Sequence, residues 1–360
     1  MPSSPSVQLP DLLGLVRPFD LRTNRHCHGV TGASEEWFAA QHDALTPDEC
    51  AALRSWKVGL WASTCFPTSD PPQLRLATDF LTLLVTCNAR FARAQSMRDC
   101  GWIEEEGSWS GWDCLSGNTL FRAMMERVAA AMPSEAWREK FNRSSRAFRA
   151  AQTKLLAYRQ SNTLPSIETY VDLRRDLSGI AMVFDLIEIA EGLNMASYSD
   201  PWKTFKHFAA DIIALCTDIF AYNNDQFNNN LFNVVSIICT EQGVSPQGAI
   251  NFAFALISTS YKNFLAAEAI LFQEPSWPRS TSPVWTWNPL RRKQADATPD
   301  PPLPQQPLPP DAKLYLRGLK DCVVGTVNWG YETELYFGTK GDEVRQFGWV
   351  FLKLKDGEHD

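Results

Sequence analysis

Residues 221–250, AYNNDQFNNNLFNVVSIICTEQGVSPQGAI, concentrate side chains that could do chemistry. Amides at Asn223, Asn224, Gln226, Asn228, Asn229 and Asn230 surround a lone carboxylate, Asp225. Asn224 and Asn228, four apart, share one face of a helix. Asp225, Asn229 and Asn233 form a second stripe one residue round. Asparagine is a poor helix former because its side chain competes for backbone hydrogen bonds, so something other than helix propensity keeps these residues here. The set offers neutral hydrogen bonding and one proton-transfer group, or else a polar surface patch. The pattern predicts one long helix over 221–250, with a polar first half and an apolar second half. The five histidines, at 26, 28, 42, 207 and 359, lie elsewhere in the sequence. His26-Cys27-His28 lacks a partner cluster for a metal and reads as a polar loop. Glu104–Glu106 stands among glycines and reads as a solvated acidic run.

Composition bounds the rest. At 360 residues, 44% hydrophobic and 21% charged, the chain is ordinary globular protein with 12% aromatic content, enough to line a cavity as well as fill a core. A net charge of −7 lacks the basic stripe of a nucleic-acid binder. No apolar run reaches the roughly 20 residues that cross a bilayer. The N-terminus lacks the basic and apolar regions of a signal peptide. Nine cysteines without CxxC pairs suit reduced thiols and a cytoplasmic setting.

The elements that must position the polar stretch are helices. Residues 1–33 read as an extended arm. Residues 34–360 read as a single α-helical domain. Thr46-Pro47-Asp48-Glu49 is a capping box with proline at the first helical position. QLRLATDFLTLLVTCNARFARAQ is apolar nearly all round until Asn88. Ser134 and Ser166 cap two further helices, and the second breaks at Ser178-Gly179. Residues 275–312 hold 11 of the 23 prolines and read as an extended insertion. A final helix is predicted over 312–338. Period-2 alternation is almost absent. The fold class is therefore all-α, a large bundle.

Taken in order, the landmarks resemble the class I terpene synthases of fungi and bacteria. SEEWFAAQHDALTPDECAALRSWKVGLWASTCFP is similar to that family's N-terminal helices, and LRLATDFLTLLV to the helix leading into its aspartate-rich metal motif. YVDLRRDLSGI resembles the diphosphate-sensing helix break. HFAADIIALCTDIFAYNNDQFN with NVVSIICTEQGVSPQGAI resembles the helix of the second metal motif, and GTVNWGYETELYFG the C-terminal helix. The resemblance implies a bundle around a central apolar pocket that takes a small terpenoid or prenyl substrate, with Mg²⁺ as the family cofactor. Trp61, Phe66, Phe80, Phe184 and Trp329 are the pocket-lining residues it implies.

Carried over residue by residue, the metal motifs are degenerate. DDxxD should begin at Asn88, but the chain reads Asn88-Ala89-Arg90-Phe91-Ala92. In the second motif Asn224 and Asp225 match, Asn228 replaces a serine, and Phe232 takes the place of the closing glutamate. About seven residues that usually follow are missing. The C-terminal Arg-Tyr pair is Leu335-Tyr336. The sensor region is intact, with Arg175, Ser178 and the helix-breaking Gly179. Neutral amides are weak ligands for a hard ion, so no metal ligand is assigned. Asp225, Arg175 and Tyr336 are the candidate catalytic residues. Three readings follow: an atypical enzyme that cyclises, rearranges or couples a terpenoid without metal-triggered ionisation; an Mg²⁺-dependent cyclase with displaced ligands; and a noncatalytic terpenoid-binding protein.

Overall fold

The computed structural model describes residues 5–40, 45–94, 119–195, 200–272 and 310–354. Glu104–Glu106, His42, His359 and most of the proline-rich stretch lie outside them. In chain order the elements are β1 (Ser6–Gln8), α1 (Leu12–Val16), α2 (Cys27–Ala39), α3 (Pro47–Trp56), α4 (Val58–Cys65) and α5 (Pro71–Arg93). Then come α6 (Thr119–Ala130), α7 (Glu135–Gln160), α8 (Ile167–Leu177), α9 (Ile180–Glu191), α10 (Asp200–Phe227) and α11 (Val234–Gln242). The chain closes with α12 (Pro246–Leu271), α13 (Pro310–Glu332), α14 (Glu334–Phe337), α15 (Gly341–Phe347) and β2 (Trp349–Phe351). The all-α expectation holds.

Local chemistry sets the helix boundaries. Thr46 and Glu49 close the reciprocal capping box that starts α3. Ser134 Oγ accepts from the Trp137 N–H, and Ser166 Oγ from the Thr169 N–H. Gly179 sits at φ +71° between α8 and α9, a left-handed conformation that a side chain disfavours. A Cβ there would also meet Leu84 Cδ1 at 2.6 Å. α10 is the central element, packing against α8, α9, α11, α12 and α13. Its run Ala209–Cys216 is buried almost all round. α13 approaches it so closely that a Cβ on Gly330 would lie 2.3 Å from the Phe220 ring.

Four expectations are corrected. The predicted helix over 221–250 is three helices. α10 stops at Phe227, Asn229 turns the chain at φ +56°, and Asn233 restarts it by accepting from the Val235 N–H. The helix over 312–338 breaks at Thr333, whose buried hydroxyl accepts from the Leu335 N–H to cap α14. The arm over 1–33 holds β1, α1 and the start of α2, so His26-Cys27-His28 is a helix start rather than a loop. Pro310–Ala312, read as part of the insertion, is the first turn of α13, where proline costs least. β1 and β2 form an antiparallel pair, with Val7 opposite Val350. Strands of three residues are too short to leave a readable alternation.

Candidate functional site

The C-terminal ends of α5, α7, α8 and α10 meet the starts of α9 and α11 and the short α14 at one end of the bundle. Asn88 Nδ2 donates to the Ser178 carbonyl at 3.4 Å, tying α5 to the helix break. Asn224 Nδ2 donates to the carbonyls of Leu335 (3.0 Å) and Tyr336 (3.3 Å), tying α10 to α14. Asn88 thus meets Ser178, and Asn224 meets Tyr336, as two separate pairs.

An aspartate stripe organises α10. Asp211, Asp218 and Asp225 recur every seven residues and share one face. Asp211 accepts from Arg175 Nε at 2.6 Å. Asp218, 4 % exposed, accepts from Arg174 Nε at 2.6 Å, the Tyr170 hydroxyl at 2.8 Å and the Val234 N–H at 3.0 Å. Asp225 accepts from Asn230 Nδ2 at 2.9 Å and Asn233 Nδ2 at 2.8 Å. Burial disfavours the charged carboxylate and the two amides favour it. Burial wins, and Asp225 is pushed up to about 6. Tyr336, on the C-terminal side of the site, is raised well above the usual phenol value by burial.

Arg175, the sensor candidate, does not face this cluster. It is held by Asp211 and Asp172, one level down α10. Neighbouring Arg174 faces it instead, with Nε on Asp218 and Nη2 3.2 Å from Thr217 Oγ1. Burial opposes the Arg174 charge, but Asp218 overcomes it and Arg174 stays firmly cationic. The sequence reading missed Arg174, Asp218 and Tyr170; Asn233 it placed on the stripe with Asp225. The heptad spacing of the aspartates was the one signal that could have found them.

The amide stretch has internal partners. Asn223 accepts from the Lys353 N–H at 2.8 Å and donates to the Phe351 carbonyl at 3.1 Å. Gln226 donates to the Lys353 carbonyl at 2.9 Å, and Lys353 Nζ reaches Asn224 Oδ1 at 2.6 Å. Asn228 donates to the Asn224 carbonyl at 2.8 Å, finishing α10. These amides sew the C-terminal strand onto the end of α10.

A second cation was also missed. Arg159, in the last turn of α7, donates to the carbonyls of Phe91 (2.9 Å) and Ala94 (3.0 Å). It neutralises the negative end of α5. Its guanidinium lies 5.1 Å from the Phe91 ring and 5.7 Å from the Phe232 ring. It therefore bridges the places where the two metal motifs of the family would stand.

Among the described residues, the side chains at the two motif positions offer few donors for a magnesium cluster. Arg90 is paired with Glu49 at 2.6 and 2.7 Å, and that pairing holds the Glu49 carboxyl below its usual value. Asn224 Oδ1 is taken by Lys353 Nζ at 2.6 Å. Asp225 is engaged by two amides, and Phe232 presents a ring. Among the described residues no group of three His, Cys, Asp or Glu could hold a metal ion.

The pocket-lining candidates are buried aromatics that pack on one another. Trp61 stacks on Trp329 at 4.5 Å, and Phe80 meets Phe141 edge-on at 5.8 Å. Phe66 and Phe184 are enclosed. Trp329 and Phe220 both contact Tyr336, at 5.9 and 5.7 Å, so an aromatic column runs from α4 to the polar cluster. A cleft of about 470 Å³ lies at the other end of α13. Phe19, Arg22, Glu268, Lys320 and Asp321 line it, and its ion pairs Arg22–Asp321 and Lys320–Glu268 make it a polar groove.

The model for terpene synthase family 2, C-terminal metal binding, matches residues 113–263. Sesquiterpene synthase Agr1 of Cyclocybe aegerita is 26% identical over 347 residues, covering 94% of this chain and 90% of its own. Sesquiterpene synthase 6 of Postia placenta is 25% identical, covering 94% and 92%. Among solved structures, hedycaryol synthase in complex with nerolidol superposes with a TM-score of 0.63 at 19% identity, covering 91% of this chain and 98% of that one. Cucumene synthase superposes at 0.62 with 18% identity, covering 89% and 99%. Sequence similarity along nearly the whole chain, the family-model match over residues 113–263 and the shared helical bundle agree: this chain is similar to the fungal sesquiterpene synthases and has the fold of the solved terpene synthases.

Proposed function

We propose that this chain is a terpene cyclase-like enzyme that cyclises, rearranges or couples a terpenoid or prenylated substrate without metal-triggered loss of diphosphate. The observation that carries the reading is the occupancy of the family's two metal-motif positions. Asn88 and Arg90 stand at one and Phe232 at the other, each held by protein partners. Four carboxylates absent from one cluster is a large electrostatic change. Each charge 4 Å from a metal is worth about 4 kcal/mol per unit of charge product at an effective dielectric near 20.

What remains suits proton transfer in an apolar setting. Asp225, raised by burial, holds a proton at mildly acidic pH and can deliver it to an alkene or oxygen of the substrate. A cyclisation or rearrangement returns that proton when the cation loses one, so the reaction balances as an isomerisation. The aromatic column from Trp61 to Tyr336 offers ring faces to a developing cation. Arg174 pairs with Asp218 beside it, and Asn224 and Asn228 orient polar groups.

A second reading, an Mg²⁺-dependent sesquiterpene cyclase with displaced ligands, draws support from the relatives' names and the family description. One experiment separates the readings. Purified protein is incubated with geranyl, farnesyl and geranylgeranyl diphosphates and with terpene alcohols, in Mg²⁺ or in EDTA, and products are followed by gas chromatography–mass spectrometry. The proposal expects turnover that persists in EDTA and falls in Asp225→Asn. Hydrocarbon products that appear only with Mg²⁺ would establish the second reading. Tight binding without product under any condition would leave a binding protein.

A further inference from the structure

The two-stranded sheet beside the candidate site is closed at both edges by side-chain amides. On β2, Asn223 takes the place of a neighbouring strand, accepting from the Lys353 N–H and donating to the Phe351 carbonyl. On β1, Gln247 does the same, accepting from the Gln8 N–H at 2.8 Å and donating to the Gln8 carbonyl at 3.0 Å. An incoming strand finds no free edge here. The face is different. Val7 and Val350 point inward, while Trp349 and Phe351 point outward at 48% and 63% exposure. Phe227, at the end of α10, is 40% exposed and carries Lys353 Nζ 5.8 Å from its ring. Leu231 in the next turn and Phe347 just before β2 are 50% and 60% exposed.

Five large apolar side chains are left in water at the end of α10 and around β2, two segments that Asn223 and Gln226 tie together. At roughly 150–250 Å² per aromatic side chain, their exposed parts come to on the order of 500 Å². A stable dimer needs about 800 Å² on each partner, so a second copy is under-supplied. Tryptophan and phenylalanine flanked by a lysine and polar amides are instead the set that settles at the boundary between headgroups and acyl chains.

We propose that the Phe227–Trp349–Phe351 face is a lipid-surface contact. It seats the Asn224–Asp225 end of the bundle against a bilayer, from which an apolar substrate enters or into which an apolar product leaves. The link to substrate traffic rests on the terpenoid reading; the docking itself does not. With the whole chain at −7, the contact is apolar in origin and gains nothing from anionic lipid.

The test is co-sedimentation of the full chain with vesicles of phosphatidylcholine, alone or mixed with phosphatidylserine, with no substrate present. Binding to phosphatidylcholine at least as strong as to the mixture is expected, with partitioning reduced roughly tenfold or more in Trp349→Ser/Phe351→Ser. Phe227→Ser, on a different element, should also weaken it, and Trp61→Phe, in the core, should not. Circular dichroism checks that each variant is folded. Absence of vesicle binding, or partitioning unchanged in both surface variants, overturns the proposal. So does a dimer in buffer that Trp349→Ser/Phe351→Ser dissociates, since the face would then join two copies. Because no turnover is read, failure here leaves the proposed chemistry standing, and failure of that chemistry leaves the docking result standing.

Discussion

The Asp225 carboxyl is the sharpest point at which the structure can be put to the test. Burial raises it from the ordinary carboxylate value of 3.8 to about 6. Its cost to the fold follows from linkage. Below about pH 4 the group is protonated in both folded and unfolded chains and costs nothing. Between about 4 and 6 the unfolded chain releases its proton while the folded one keeps it, so stability falls as pH rises. Above about 6 both are ionised and the full cost remains. A separation of about two units corresponds to roughly 3 kcal/mol.

Asp225→Asn removes this titration. It also leaves either Asn230 or Asn233 without its acceptor, a cost of about 1–3 kcal/mol that does not change with pH. The quantity to read is therefore the difference between variant and parent as a function of pH. Other carboxyls with raised values, such as Asp211 and Asp321, cancel in it. For 360 residues the unfolding entropy scales to roughly 0.75 kcal/mol/K. Calorimetric midpoints should then show Asp225→Asn gaining about 3 °C on the parent between pH 4 and pH 7.5. A difference flat to within about 1 °C would refute the buried, proton-holding carboxyl, and with it the acid assigned to the site.

Three further expectations can be checked by denaturation and hydrogen exchange. Asp218→Ala strands the Arg174 charge, the Tyr170 hydroxyl and the Val234 N–H together, and should cost about 3–5 kcal/mol in urea titrations, well beyond the cost of Asp218→Asn. Arg159→Ala removes a cation from the α5 terminus and from the Phe232 ring. It should cost about 1–2 kcal/mol and speed amide exchange at both 88–94 and 228–232, where loss confined to α7 would contradict the bridge. Gly179→Ala combines a left-handed backbone with a 2.6 Å approach to Leu84. It should cost upward of about 2 kcal/mol, and a neutral result would mean that the α8–α9 junction is not fixed as described.

Much of the fold was legible in the sequence because its signals are local. Thr46, Ser134 and Ser166 announce helix starts by satisfying backbone N–H groups within three residues. Gly179 announces a break because only glycine adopts its backbone angle cheaply. The missing carboxylates at Asn88, Ala89, Ala92 and Phe232 were equally plain, since a residue type does not depend on its neighbours. The turn that divides the amide stretch was missed because its cause is not local: Asn233 bonds the Asp218 carbonyl and the Asp225 carboxylate, 15 and 8 residues back.

The sequence by itself therefore determined the helical class, the order of the landmarks and the residue types at the positions where the resemblance expects metal-binding donors. Only the tertiary structure decided which groups stand in their place. Arg174 and Arg175 are adjacent in sequence, yet about 100° of helical rotation separates them. The packing of α8 on α10 gives one to Asp218 beside the site and the other to Asp211 below it. The amides of α10 found their partners some 130 residues on, in the strand that closes the chain. Arg159 found its own on α5, 65 to 68 residues back. Such pairings are set by which helix ends meet in space, and helix ends meet only once the apolar faces along their lengths have packed.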